Sequence, residues 1–473
     1  MRWPDVAVIV SWFVLSRVMA SAAGIAPEPT LPEMFWQLLP FELLRDRPGE
    51  RLWYLHSQPP LYNMLVAVLL QLPGDVQAWW RALWLVMGVI FPLVFCSAML
   101  VAGAPRWLAH LFALVVALNP TLLLYENLLL YTYPEALCVL LGFYALLRTG
   151  LDPPRWLLFS ISTTVLVLFR AMFQPLWSVG IAVTTATALG SAENAENAEQ
   201  GKRRTSWRVT GMAALVLPII MGGMLILKNG LLFDVWTSSS WFGHNMAKLT
   251  AMAMLGETPR LHRLGVVSPV FVVGPFAPLH LYPPALVNGA AGRADRDYGG
   301  APALTVVAKP NGSPNFNHLA YIDLSRQLMS DSIAAYQARP WLVRETILRG
   351  VQQFHQAASL YTFLDANRRR LKPIEDLYFN ALYPRGTVFI VEAAVILTIV
   401  SSGAVWLFGM GRFFPLRAAA GYVLATTVWV ITTGNFAEYG ENSRFRFTLD
   451  PMMITWLGVA AVVGVLGMRS RQS

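Results

Sequence analysis

The 473-residue chain is 55% hydrophobic and only 13% charged, with a mean hydropathy of +0.48. A soluble globular domain carries roughly 25% charged residues, so this composition excludes water as the main solvent of the fold. The net charge of +9 comes from basic residues scattered between apolar runs. With no dense basic patch, a nucleic-acid partner is not indicated, and basic loops beside spanning helices explain the excess.

The two cysteines, Cys96 and Cys138, fall inside apolar runs. They offer neither a disulfide framework nor zinc-ligand spacing. The histidines at 56, 110, 244, 262, 280, 318 and 355 show no paired spacing either. No metal site and no cofactor are therefore expected, and a divalent cation is not indicated.

A helix needs about 20 apolar residues to cross a bilayer. In chain order, runs approaching that length lie at roughly 6–25, 82–103, 107–125, 129–147, 156–172, 173–190, 209–227, 387–408, 414–433 and 451–468. The expected fold is an all-α polytopic membrane protein of about ten transmembrane helices. The shorter run at 60–72 suits an interfacial or re-entrant helix. With the N-terminus in the cytoplasm, alternate loops hold Arg106; Arg148 and Arg155; Lys202, Arg203, Arg204 and Arg208; Arg412 and Arg417; and Arg469 and Arg471. Every inward loop is then basic, which places both termini in the cytoplasm. Residues 191–208 are polar and low in complexity, and are expected to be a disordered connection.

Three units follow: a seven-helix membrane module over 1–227, an extracytoplasmic insertion over 228–386, and three C-terminal spans over 387–473. Within the insertion, 288–315 is rich in Gly, Pro and Asn and reads as a mobile loop or lid. After it, Val343, Ile347, Val351, Phe354, Ala358 and Tyr361 recur at helical spacing and predict an amphipathic helix on the membrane domain. The apolar content of the insertion points to a unit that leans on the spanning helices.

The outward loops collect the polar residues. The first holds Glu28, Glu33, Glu42 and Asp46, then His56-Ser57-Gln58-Pro59-Pro60. The next holds Glu126 and Tyr133, then come Arg170 with Gln174, and finally 438–447 with Arg444 and Arg446. Singly, each has a plain reading: a solvated loop carboxylate, a snorkelling arginine, or an interfacial anchor. Together they put carboxylates and arginines at one face of an apolar bundle. A lipid-linked phosphate site needs that combination: arginines for the phosphate and a carboxylate for acid–base work.

An apolar helix, an acidic first loop and then Ser57-Gln58-Pro59-Pro60-Leu61-Tyr62 resemble the opening of the GT-C membrane glycosyltransferases, such as the protein O-mannosyltransferases and the aminoarabinose transferases of lipid A. Asn119 to Tyr144, Arg170 to Trp177, and Gly440 to Phe447 followed by Asp450-Pro451 are similar to further stretches of bacterial members. The resemblance implies a GT-C-like fold in the bacterial cytoplasmic (inner) membrane. It also implies transfer of a sugar from a polyprenyl-phosphate-linked donor to a glycan, lipid or protein acceptor, among membrane lipid. A first-loop carboxylate would be the base: Glu28, where the family usually has Asp, or else Glu42 or Asp46. His56, Gln58, Glu126, Tyr133, Arg170, Gln174, Arg444 and Arg446 would bind substrate. The alternatives are a transporter or flippase of a lipid-linked sugar, and a non-catalytic scaffold on the same fold.

Overall fold

The computed structural model describes residues 1–27, 31–148, 153–196, 203–254, 256–409, 414–436 and 438–472. Among them every regular element is a helix, and the one strand-like pairing is an isolated bridge between Ala308 and Pro314. In chain order the main helices are α1 (Trp3–Ala22), α2 (Val76–Val101), α3 (Arg106–Ala117), α4 (Pro120–Glu126), α5 (Thr132–Arg148), α6 (Pro153–Phe169), α7 (Pro175–Glu196) and α8 (Arg203–Phe233). They continue with α9 (Phe242–Met254), α10 (Pro284–Tyr298), α11 (Ala320–Ala338), α12 (Trp341–His355), α13 (Lys372–Leu382), α14 (Phe389–Phe408), α15 (Phe414–Phe436) and α16 (Asn442–Gln472).

Six helical segments among the described residues are long and apolar enough to cross a membrane: Trp3–Ala22, Val76–Val101, Gly211–Phe233, Phe389–Phe408, Pro415–Phe436 and Asn442–Leu466. The chain is a multi-pass helical membrane protein. The other four apolar runs take different forms. The run at 107–125 is broken into α3 and α4, bent by 54°. Asn119 caps the second piece through Thr121 N at 2.9 Å, and Pro120 opens it without losing a needed N–H. Helices α5 and α6 have 17 residues each, and α7 runs on through 196 into the polar stretch. The run at 60–72 forms a short helix, Leu61–Leu69.

Helix α5 lies at the centre, packed by α2, α6, α15 and α16. Thirteen of its residues are buried, including Tyr133, Glu135, Leu140 and Phe143, as expected for a helix that is apolar on every side.

The insertion divides in two. From Phe233 to Leu342 it has its own apolar core, built on Trp241, Phe271, Phe316, Tyr321 and Leu328. Helices α9 and α11 cross so closely there that a Cβ on Gly243 would overlap Ser325 O, while Ser325 Oγ accepts from Gly243 N at 3.0 Å. Beyond it, Phe354, Ala358, Leu364 and Leu371 join the core of the membrane helices. Only this second part shares its apolar core with the bundle.

Two expectations are corrected. About half of the segment read as a loop over 288–315 is helical, since α10 runs to Tyr298, burying Ala290 and Ala294, and a further turn spans Pro302–Thr305. At the segment's end Asn315 Nδ2 donates to Val306 O at 2.8 Å, and just beyond it Asn317 Oδ1 accepts from His56 N at 2.9 Å. The amphipathic helix exists as α12, but its buried face is Leu342, Thr346, Gly350 and Phe354, and Val343 is exposed. Gly350 sets that face, because a Cβ there would meet Asn435 O at 2.9 Å. A pattern of apolar letters passes over a glycine that is chosen for close approach.

Candidate functional site

The loop between α15 and α16 is tied down locally. Asn442 Nδ2 donates to Gly434 O at 2.8 Å and Asn435 Oδ1 at 3.0 Å, and Gly440 N donates to Gln353 Oε1 at 2.7 Å. This anchoring aims Glu438, Glu441 and Arg444 into a cavity of about 350 Å³. Arg170, just past the end of α6, and Gln174, just before α7, reach the same cavity. Gln37 and Gln58 arrive from the first loop, and Lys248 from α9. Aromatic rings of Trp36, Trp241, Phe276 and Trp429 complete the wall.

The charges inside are arranged as pairs. Arg170 Nη1 donates to Glu135 Oε2 at 3.0 Å, and the guanidinium sits 4.2 Å from the Phe445 ring centroid. Lys248 Nζ donates to Glu438 Oε1 at 2.8 Å. Arg444 pairs through Nη2 with Glu441, whose other oxygen accepts from Tyr361 Oη at 3.2 Å. Arg444 is 1% exposed, yet its Nε and Nη1 have no hydrogen-bond partner. Leaving donors of a buried charged group unmade costs about 1–3 kcal/mol or more. Such donors beside a cavity are the signature of a site shaped for an anion.

Environment separates the two loop carboxylates. Burial pushes Glu438 above the usual carboxylate range, with Lys248 opposing and Glu441 reinforcing the shift. Burial acts the same way on Glu441, but Arg444, Lys248 and Arg170 outweigh it and hold Glu441 below that range. The surroundings thus shift the two carboxylates in opposite directions.

Of the sequence-predicted residues, Gln58, Arg170, Gln174 and Arg444 converge on this cavity. Glu28 lies outside the described residues. Glu42 and Asp46 are exposed and away from the cavity, with Asp46 3.8 Å from Arg51. Glu126 and Tyr133 sit elsewhere. Glu126 is buried against Arg17, with Nη2 at 2.7 Å, and accepts from Tyr133 Oη at 3.0 Å. Gly88 makes room for this group, since a Cβ there would lie 2.5 Å from Glu126 Oε2. Arg17 Nη1 also donates to Ala117 O at 2.6 Å, a carbonyl freed at the break between α3 and α4. This cluster pins the broken span.

His56 is a fastener between the first loop and the insertion. Its Nε2 faces Asn317 O at 2.9 Å and so carries the proton, and Nδ1 accepts from Ser240 Oγ at 2.8 Å. Burial pulls its imidazole down to about 3, so it stays neutral. Lys309 plays a similar part, donating to Phe35 O at 2.6 Å and Glu33 O at 3.1 Å, with burial drawing its amine down to about 7.

Arg446 belongs to a different place from Arg444. Two residues along a helix turn the side chain by roughly 200°. Arg446 therefore faces a second cavity, donating to Asp450 Oδ1 at 3.2 Å and Phe354 O at 3.1 Å. Arg444 and Arg446, both read from the sequence as substrate-binding, therefore line two different cavities.

Sequence reasoning missed Arg17 and Glu135, although an ionisable residue within an apolar run is itself the signal. Lys248 had no such signal, because only the crossing of α9 beneath the loop after α15 brings it in. Among the described residues no group of three or more His, Cys, Asp or Glu side chains could hold a metal ion. No protein-family model, curated protein or solved structure matches the chain.

Proposed function

We propose that this chain is a GT-C-like membrane glycosyltransferase of about ten spans, with the 350 Å³ cavity as its active site on the extracytoplasmic side. The observation that carries this reading is Arg444: a buried guanidinium with two unpartnered nitrogens, beside Arg170 and between aromatic walls. A sugar phosphate supplies what such a site lacks. Its phosphate oxygens accept from Arg444 and Arg170, and its sugar ring lies against indole faces.

In the reaction an acceptor hydroxyl gives its proton to a carboxylate. Its oxygen attacks the anomeric carbon, and the bond from that carbon to the phosphate oxygen breaks with inversion. The leaving phosphate keeps the electron pair, and the arginines stabilise the added charge. The base is Glu28 by resemblance and Glu438 by its place in the cavity. Glu441 and Glu135 hold Arg444 and Arg170 in position. The basic residues of alternate loops support ten crossings with both termini inside.

The test is mass spectrometry of lipid-linked sugars and envelope glycans from cells with and without the protein. Loss of the protein is expected to accumulate a polyprenyl-phosphate sugar and remove one glycan substituent. Arg444→Gln is expected to reproduce that profile, with transfer reduced by about 10²–10³-fold. Glu28→Gln and Glu438→Gln separate the two bases, since only loss of the true one abolishes transfer while leaving donor binding intact. Identical profiles with and without the protein would refute the transferase reading. Purified protein that moves the labelled lipid without cleaving it would make the protein a flippase.

A further inference from the structure

The second cavity, about 140 Å³, lies between α4, α13, α14 and α16. Its lining changes along the depth of α16. Arg446 and Asp450 sit in the first turns, while Met453, Ile454 and Leu457 lie further in. From Arg446 to Leu457 the axial rise is about 16 Å, roughly one leaflet of hydrocarbon. Helix α14 begins at the same membrane face and lines the cavity with Ile390, Val391 and Ala394. Further along α14, Ile396, Leu397 and Val400 are exposed, as residues facing lipid are. Helix α13 closes the polar end, burying Glu375 towards the cavity while Ile374 and Leu377 stay exposed, as on a helix lying in the interface.

We propose that this cavity binds a membrane phospholipid whose headgroup carries both a phosphate and a primary ammonium, with one acyl chain running along α16 towards Leu457. The polar end offers one arginine and two carboxylates, Arg446 with Asp450 and Glu375. That set matches a phosphate placed next to an ammonium with N–H donors. A purely anionic headgroup brings no positive charge to set against the two carboxylates. The apolar wall does not select the ligand, because an acyl chain leaving the bilayer exchanges one hydrocarbon environment for another. Selection must come from the headgroup, and this proposal is independent of the glycosyl-transfer reading.

The test uses the full chain in nanodiscs of phosphatidylethanolamine, phosphatidylcholine or phosphatidylglycerol, with retained lipid counted by native mass spectrometry and the melting midpoint measured in each. Phosphatidylethanolamine is expected to be retained roughly 10-fold or more over the other two, since hydrogen bonds to charged groups carry that much free energy. It is also expected to give the highest midpoint. Glu375→Gln keeps the side-chain volume and is expected to bring phosphatidylethanolamine level with phosphatidylcholine. Ala394→Trp fills the apolar part and is expected to lose the retained lipid while eluting as a monodisperse protein. Equal retention of all three lipids by the wild type would overturn the proposal. So would an undiminished preference in Glu375→Gln.

Discussion

Arg17, Glu126 and Tyr133 show how much a single buried charge can commit a membrane helix. Arg17 is an ion-pair partner, a donor to the α3 carbonyl of Ala117 and a neighbour of the Phe13 ring at 4.1 Å. Removing one member leaves the other charge buried and unmatched, which costs about 3–5 kcal/mol. Glu126→Gln should lower the melting midpoint sharply, whereas Arg17→Met with Glu126→Leu should recover most of the loss. Thermal unfolding of the two variants in the same detergent checks this, and a double variant no better than the single one would refute it. Arg170 with Glu135 and Arg444 with Glu441 follow the same rule, but Arg170, Arg444 and Glu441 also line the cavity. That difference separates a fastener from a site, and residue type alone does not reveal it.

At the scale of elements, two close approaches fix the geometry around the cavity. Helix α12 reaches the end of α15 because Gly350 has no Cβ, and its Gln353 then holds Gly440. Helices α9 and α11 meet at Gly243, which lets α9 carry Lys248 to Glu438. A methyl group at 243 meets backbone, which cannot swing away as a flexible side chain can. Gly243→Ala should therefore separate α9 from α11, exposing 242–342 to limited proteolysis while the spanning helices stay protected. A digestion pattern identical to wild type would show that the crossing tolerates the methyl. The break between α3 and α4 falls at Asn119-Pro120, a cap followed by a residue suited to the first helical turn, inside a run that hydropathy alone read as one span. Its 54° angle was not legible, because the angle depends on Arg17 arriving from another helix.

At the scale of the whole molecule, one neutral buried histidine, His56, joins the first loop to the insertion and another, His244, joins α9 to α11 inside it, and this gives the protein a pH dependence. Burial lowers His56 to about 3 and His244 to about 4, against an ordinary value of 6.5. The unfolded chain therefore binds more protons below 6.5. Stability is fully present above that value and is lost as pH falls towards the folded-state values. Between pH 7.5 and 5 each of these histidines should remove about 2 kcal/mol. Melting midpoints at the two pH values measure it, and His56→Gln should be less stable at pH 7.5 yet lose less on acidification. A wild-type midpoint unchanged at pH 5 would show that the folded protein protonates these histidines as readily as the unfolded chain does.

What the sequence by itself determined is the solvent and the alphabet: apolar runs that must become helices in lipid, and a few polar segments too costly to be there by chance. Those properties are local, since a residue's hydropathy does not depend on its neighbours in space. Only the tertiary structure decided which polar residues share a cavity. It joined Arg170 to Arg444 across 274 positions of chain, parted Arg444 from Arg446 by about half a turn of one helix, and gave Glu126 to Arg17. Site membership depends on helix rotation and crossing. Buried glycines, caps and ion pairs set these far from the residues concerned.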